Sequence, residues 1–242
     1  MRNFVRKVLA LALLPLRPIL GRKLRRKVTK LLNRNEKLYI PPHLGVAGFF
    51  RALDKANARH IVLRWFEDLP QVERGHDLDI LVSDDAIDAV RGLLWDWPLG
   101  QKIDFYSETG QRGTGFKPSR LTDVPAFPPA IASQMLNGAR RQAGGWCVPD
   151  RRSHFLGLAY HAVYLKGFDS GLPPDPNIPP HKKGSRDYVS VLGGLETGAG
   201  IKIARPITME SIDEMLTAQG WRPDDDHLKA LAPVNRWIKV SH

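Results

Sequence analysis

The sequence predicts an α+β fold: a small mixed β-sheet core, a C-terminal helical layer and a basic amphipathic N-terminal arm. Three observations lead there. Short β-rich runs at 60–66, 77–83 and 102–106 alternate with segments of helical spacing, the order of a small sheet with helices against it. Beyond about residue 108 the strand signals stop, and amphipathic patterns and Pro-rich loops take over. The first 34 residues hold eleven of the 36 Lys and Arg and no acid, so the whole net charge of +11 lies there. These breaks divide the chain into an arm (1–36), a core (37–115) and a helical region (116–242).

In the arm, the apolar stretch from Val8 to Leu16 has basic clusters on both sides. Interrupted by Pro15 and closed by Arg17, it is too short to span a bilayer. A signal peptide fits the lengths, but no small-x-small cleavage site follows. The reading adopted is an interfacial anchor through residues 1–34 on the anionic cytoplasmic leaflet. A basic tail without a specific partner is the plain alternative. The remaining 25 basic residues match the 25 acidic ones, and a neutral body argues against a general nucleic-acid surface. Cys147 is the only cysteine, which excludes internal disulfides and Cys-rich metal sites and suits a reducing cytoplasm.

After the break at Pro41-Pro42, residues 45–58 have helical spacing, with Phe49, Leu53 and Ala56 on one side. A strand at 60–66, a loop, and a strand from Asp77 to Ser83 follow. A helix with acids in its first turn (84–96) precedes the third strand at 102–106. Helices are expected near 128–141, 151–167 and 185–196. Two more are expected at 211–219, through a Ser211…Glu214 capping box, and at 224–232.

Asp77 and Asp79 are two apart on an apolar segment, so both leave the same face of a strand. Asp104 interrupts the third strand. Carboxylates pushed together repel and become basic unless a cation joins them, and two divalent ions suit phosphoryl chemistry. A second Asp-x-Asp, Asp224–Asp226, follows Pro223 and opens an apolar helical pattern; it reads as a helix N-terminus.

Gly75-His76-Asp77-Leu78-Asp79, followed by Ile103-Asp104-Phe105, resembles the nucleotidyltransferase superfamily with its DNA polymerase β-like fold. The resemblance covers residues 60–110. FLGLAYHAVYLKGFDSGLP in the helical region is similar to uncharacterised bacterial nucleotidyltransferase-like proteins, which are associated with cell-envelope polysaccharide loci. It implies a nucleoside triphosphate donor, an acceptor of unknown identity and Mg²⁺ or Mn²⁺. Asp77 and Asp79 would hold both metals, and Asp104 the catalytic one while orienting the acceptor hydroxyl for attack on the α-phosphate. The family's Gly-Ser pair after the first strand is replaced by Leu63-Arg64-Trp65. Arg64 either supplies a charged fork for the nucleotide, or Trp65 fills the phosphate pocket. Catalysis is one expectation; a silent binding or regulatory module tethered to the membrane is the other.

Further nucleotide-binding candidates are Gly75 in the motif loop, Lys117 beside Arg120 on a Gly-rich loop, and His161 with Lys166. Each has an ordinary structural alternative: a turn for the first two, a satisfied core or edge position for the last pair. His76 reads as a loop spacer. A metal-binding Asp-x-Asp of glycosyltransferase type fits poorly, because a polar loop, not an apolar strand, runs into the motif. No Gly-x-Ser-x-Gly supports a serine hydrolase.

Overall fold

Runs of three to seven residues rich in Val, Ile, Leu and aromatics form the four strands of the main sheet: β1 (Leu38–Ile40), β2 (His60–Val62), β3 (Leu78–Val82) and β4 (Gln101–Ser107). The computed structural model describes residues 2–33, 37–73, 75–116, 124–184 and 186–241. Lys117 and Arg120 therefore lie outside the described residues. The strand order is β1-β4-β3-β2, with β1 antiparallel to β4 and β2 antiparallel to β3. The chain is a mixed α/β protein with a small mixed sheet and about ten helices.

Two compact units emerge: Met1–Phe105 with Arg141–Cys147, and Tyr106–Arg140 with Val148–His242. The first contains helices α1 (Arg2–Leu13), α2 (Arg22–Leu32), α3 (Gly45–Lys55) and α4 (Ile87–Leu93). α3 buries Phe49, Phe50 and Leu53, while Ala56 is exposed just past its end. Phe50 stacks on His60 of β2 at 5.4 Å and meets Trp146 at 6.0 Å. Arg141 donates to both carboxylate oxygens of Asp54, fastening the returning segment 141–147 to α3. The strand expected over 60–66 ends at Val62, and the helix expected over 84–96 is a 3₁₀ turn followed by α4.

The arm, read from the sequence as a segment of its own, packs within this unit. Ala10, Leu32 and the fully buried Trp97 form one cluster, flanked by Leu13, Leu14, Val28, Trp95 and Leu99. The Trp97 indole donates to the Ala10 carbonyl at 3.0 Å, and the Arg17 guanidinium lies 4.8 Å from the Trp95 ring. Among the described residues no helix is long and apolar enough to cross a membrane.

The second unit holds α5 (Pro129–Asn137), α6 (Arg151–Tyr160), α7 (Tyr188–Ala199), α8 (Met209–Ala218), α9 (Asp225–Leu231) and α10 (Arg236–Ser241). Along the sequence, β5 (Arg140–Arg141) and β6 (Cys147–Val148) come between α5 and α6, and the residues from Arg141 to Cys147 belong to the first unit. Asp150 and Asp224 cap α6 and α9 by accepting from the amides of Ser153 and His227; the second Asp-x-Asp is a helix start, as its position predicts. The capping box of α8 differs from the expected one. It joins Thr208 to Ser211, each side chain accepting from the other's backbone amide, so the helix starts two residues earlier. α6 continues as a π-helical turn over His161–Lys166.

Candidate functional site

The β1–β4 register assembles one charged face. Tyr39 lies opposite Lys102 and Leu38 opposite Ile103. Extending the ladder by one residue sets Lys37 opposite Asp104, and the Lys37 ammonium donates to both oxygens of Asp104 at 2.9 and 3.1 Å. Lys102, two residues before Asp104 and on the same face, donates to Asp77. On the other side, Val62 pairs with Ile80 and the Leu63 amide donates to the Asp79 carbonyl at 3.0 Å. This brings Arg64 to Asp79, with Nη2 2.9 Å from Oδ2. Directly after Arg64 the chain turns sharply, with Trp65 in the left-handed region at φ 56°. Such a conformation costs a non-glycine residue about 1–2 kcal/mol and tends to mark functional sites.

Each of the three carboxylates thus has its own cation, and the pairs differ in depth. The Arg64 and Asp79 side chains are 7% and 13% exposed, whereas Lys37 and Lys102 are each about a third exposed. Burial pushes the Asp79 carboxyl above its ordinary value; Arg64 opposes this, Asp104 and Asp77 add to it, and Lys102 also opposes. Burial, with Asp77 and Asp104 behind it, likewise raises the Tyr39 phenol. Asp79 and Tyr39 therefore both feel the two other carboxylates: the three acids share one electrostatic environment.

Asn33 anchors one edge of this face. Its amide donates to the carbonyls of Lys37 (2.5 Å) and Asp96 (2.9 Å), and its oxygen accepts from the Lys37 amide at 3.1 Å. The end of α2 is so joined to the residue that pairs with Asp104.

Three oxygen-donor carboxylates are the right chemistry for a hard divalent ion. Among the described residues, however, no three His, Cys, Asp or Glu side chains are grouped so as to hold one metal ion. The carboxylates instead receive nitrogen cations, two of them on flexible, partly exposed lysines.

Of the other residues singled out in the sequence, Gly75 adopts φ 95° in the turn before β3 and a Cβ there would meet nothing; its role is conformational. His76 lies 3.2 Å from Glu73 within that loop, and its carbonyl accepts from Gln101 at 2.9 Å. His161 and Lys166 open and close the π turn of the second unit, His161 buried and Lys166 half-buried. Lys37, Tyr39 and Lys102 were not singled out in the sequence. Lys102 carried a signal, its two-residue spacing from Asp104; Lys37 carried none without the β1 pairing. No family model matches the chain, and neither a curated protein nor a solved structure matches it.

Proposed function

We propose that the chain is a metal-dependent nucleotidyltransferase, moving a nucleoside monophosphate from a triphosphate to a small or lipid-linked acceptor, such as an envelope polysaccharide precursor, at the cytoplasmic face of a membrane. The supporting observation is the placement of Asp77 just before β3, Asp79 on β3 and Asp104 on β4, with Lys102 of β4 reaching from the face of Asp104 to Asp77. Mg²⁺ or Mn²⁺ would be held by these carboxylates only once Lys37 and Lys102 leave them, and would then supply positive charge to the phosphoryl oxygens. Asp104, the carboxylate paired with Lys37, would orient the acceptor hydroxyl. That oxygen would form the new bond to the α-phosphorus as the bond to pyrophosphate breaks, its proton passing to the Asp104 carboxylate. Lys37 and Lys102, once off their carboxylates, are long and exposed enough to turn to phosphate oxygens.

A specific observation favours a second reading, a catalytically silent binding module of the same fold. Every acid of the site is already neutralised by a cation of the chain, and the Arg64–Asp79 pair is buried.

Calorimetric titration of the full chain with Mg²⁺ or Mn²⁺ and each nucleoside triphosphate separates the two. The arm is kept because it covers Trp97. Metal-dependent binding that Asp77→Asn abolishes, with pyrophosphate released on adding acceptor, supports the enzyme. A folded protein that binds no triphosphate with either metal leaves the silent module.

A further inference from the structure

The arm leaves a large apolar surface uncovered. Helical geometry sets Leu11, Phe4, Val8, Val5 and Leu9, in that order, around roughly half the circumference of α1, with Ala10 on the opposite side. Ala10 is wholly buried against Trp97, whereas Phe4 is 69% exposed and Leu11 62%. The following turn adds Ile19 at 79%. Single exposed apolar side chains need no explanation, but a contiguous set on one helix face does.

The same division holds in α2. Val28, Thr29 and Leu32 face the protein. Leu24 and Leu31 are exposed beside a stripe of Lys23, Lys27 and Lys30, at i, i+4 and i+7. Because α1 and α2 pack on one shared cluster, both open faces turn away from it. The result is an apolar ridge next to a cationic one, anchored to the unit by the Trp97 hydrogen bond and the Arg17–Trp95 contact.

We propose that this face is a docking surface for an anionic lipid bilayer, with α1 lying in the interface plane. The charge chooses the occupant. No acidic residue occurs before Glu36, so a second copy of the chain would bring like charges face to face. A nucleic acid would engage the lysines but gives no burial to Phe4, Val8 and Leu11. A lipid surface takes both: headgroup phosphates meet the Lys and Arg, and acyl chains receive the apolar ridge. At twelve residues α1 is about 18 Å long, short of the ~30 Å hydrocarbon core, so it lies on the bilayer and does not span it. The arm is a preformed face of the first unit and needs no separate ordering on contact.

The test is flotation of the full chain with vesicles of phosphatidylcholine alone or mixed with equal parts phosphatidylglycerol, at low and high salt. Binding is expected on the anionic vesicles and weakened by salt. Phe4→Gln/Val8→Gln/Leu11→Gln and, separately, Lys23→Gln/Lys27→Gln/Lys30→Gln should each lower partitioning by about ten- to hundredfold, with thermal unfolding unchanged. The wild-type comparison of the two vesicle types needs no variant. Absence of binding to anionic vesicles, or equal binding to both types, overturns the proposal. So does concentration-dependent self-association in lipid-free sedimentation that the apolar variant abolishes. This surface stands independently of the carboxylate site, and no nucleotide enters the assay.

Discussion

Arg64 is always protonated, is buried, and has Asp79 as its ion-pair partner at 2.9 Å. Truncating it takes the ion-pair partner from a carboxylate that burial and two neighbouring acids already push toward protonation. Arg64→Ala is therefore expected to cost about 3–5 kcal/mol in urea unfolding. The apolar pair Arg64→Met/Asp79→Leu should recover most of that loss, since two well-packed apolar chains commonly match a buried ion pair. His60 offers a pH test. Its Nδ1 lies 2.8 Å from the Ala58 carbonyl, and burial holds its pKa below the ordinary value of about 6.5. The stability from keeping it neutral is fully present above that value and lost as pH falls toward the lower folded pKa. Urea midpoints measured from pH 7.5 down to 5.5 should fall, and fall less in His60→Phe; His227, also depressed by burial, accounts for part of the remaining slope. The acids of the site were legible because strand periodicity is local. Their cations were not, because Lys37 meets Asp104 only through the pairing of two strands 67 residues apart in sequence.

At the scale of elements, the π turn of α6 depends on one distant side chain. The buried Asn235 donates to the carbonyls of Val163 and Tyr164 at 2.8 and 2.9 Å and accepts from the Trp237 amide at 3.0 Å. A Cβ on Gly167, which takes φ 55° at the end of the turn, would collide with it. Asn235→Ala leaves two buried carbonyls short of a donor and is expected to cost about 2–4 kcal/mol, read from guanidinium unfolding. Helices with strong side-chain caps, such as those begun by Asp150 and Asp224, could be read from the sequence because cap and helix are adjacent. β1 could not. Leu38-Tyr39-Ile40 is too short a run to show period-2 alternation, and it becomes a strand by pairing with β4. The switch from α to π at His161 likewise leaves no mark in the spacing of apolar residues.

For the molecule as a whole, the arm is part of the folded first unit. Removing residues 1–32 uncovers Trp97, a fully buried side chain, and should lower the unfolding free energy by about 1.5–3 kcal/mol, the cost of returning a buried apolar side chain to water. Chemical denaturation of the full and shortened chains checks this; equal stabilities would mean the helices merely rest on the surface. The basic charge confined to 1–34 was plain from composition, but the side of each helix that packs inward was not, since α1 is apolar on most of its circumference. Asn33 gives the arrangement a further consequence. It grips Lys37 and Asp96 at once, so the end of the arm and the partner of Asp104 share a hinge pin. Asn33 holds the main chain of Lys37 while the Lys37 ammonium holds Asp104, so the end of α2 and Asp104 are linked through a single residue. Were the carboxylates to take a cation and the arm a bilayer, reciprocity would apply: whatever factor the cation imposed on vesicle affinity, vesicles would impose on cation affinity. Flotation repeated with and without Mn²⁺ reads that factor, and Asn33→Ala should bring it to one.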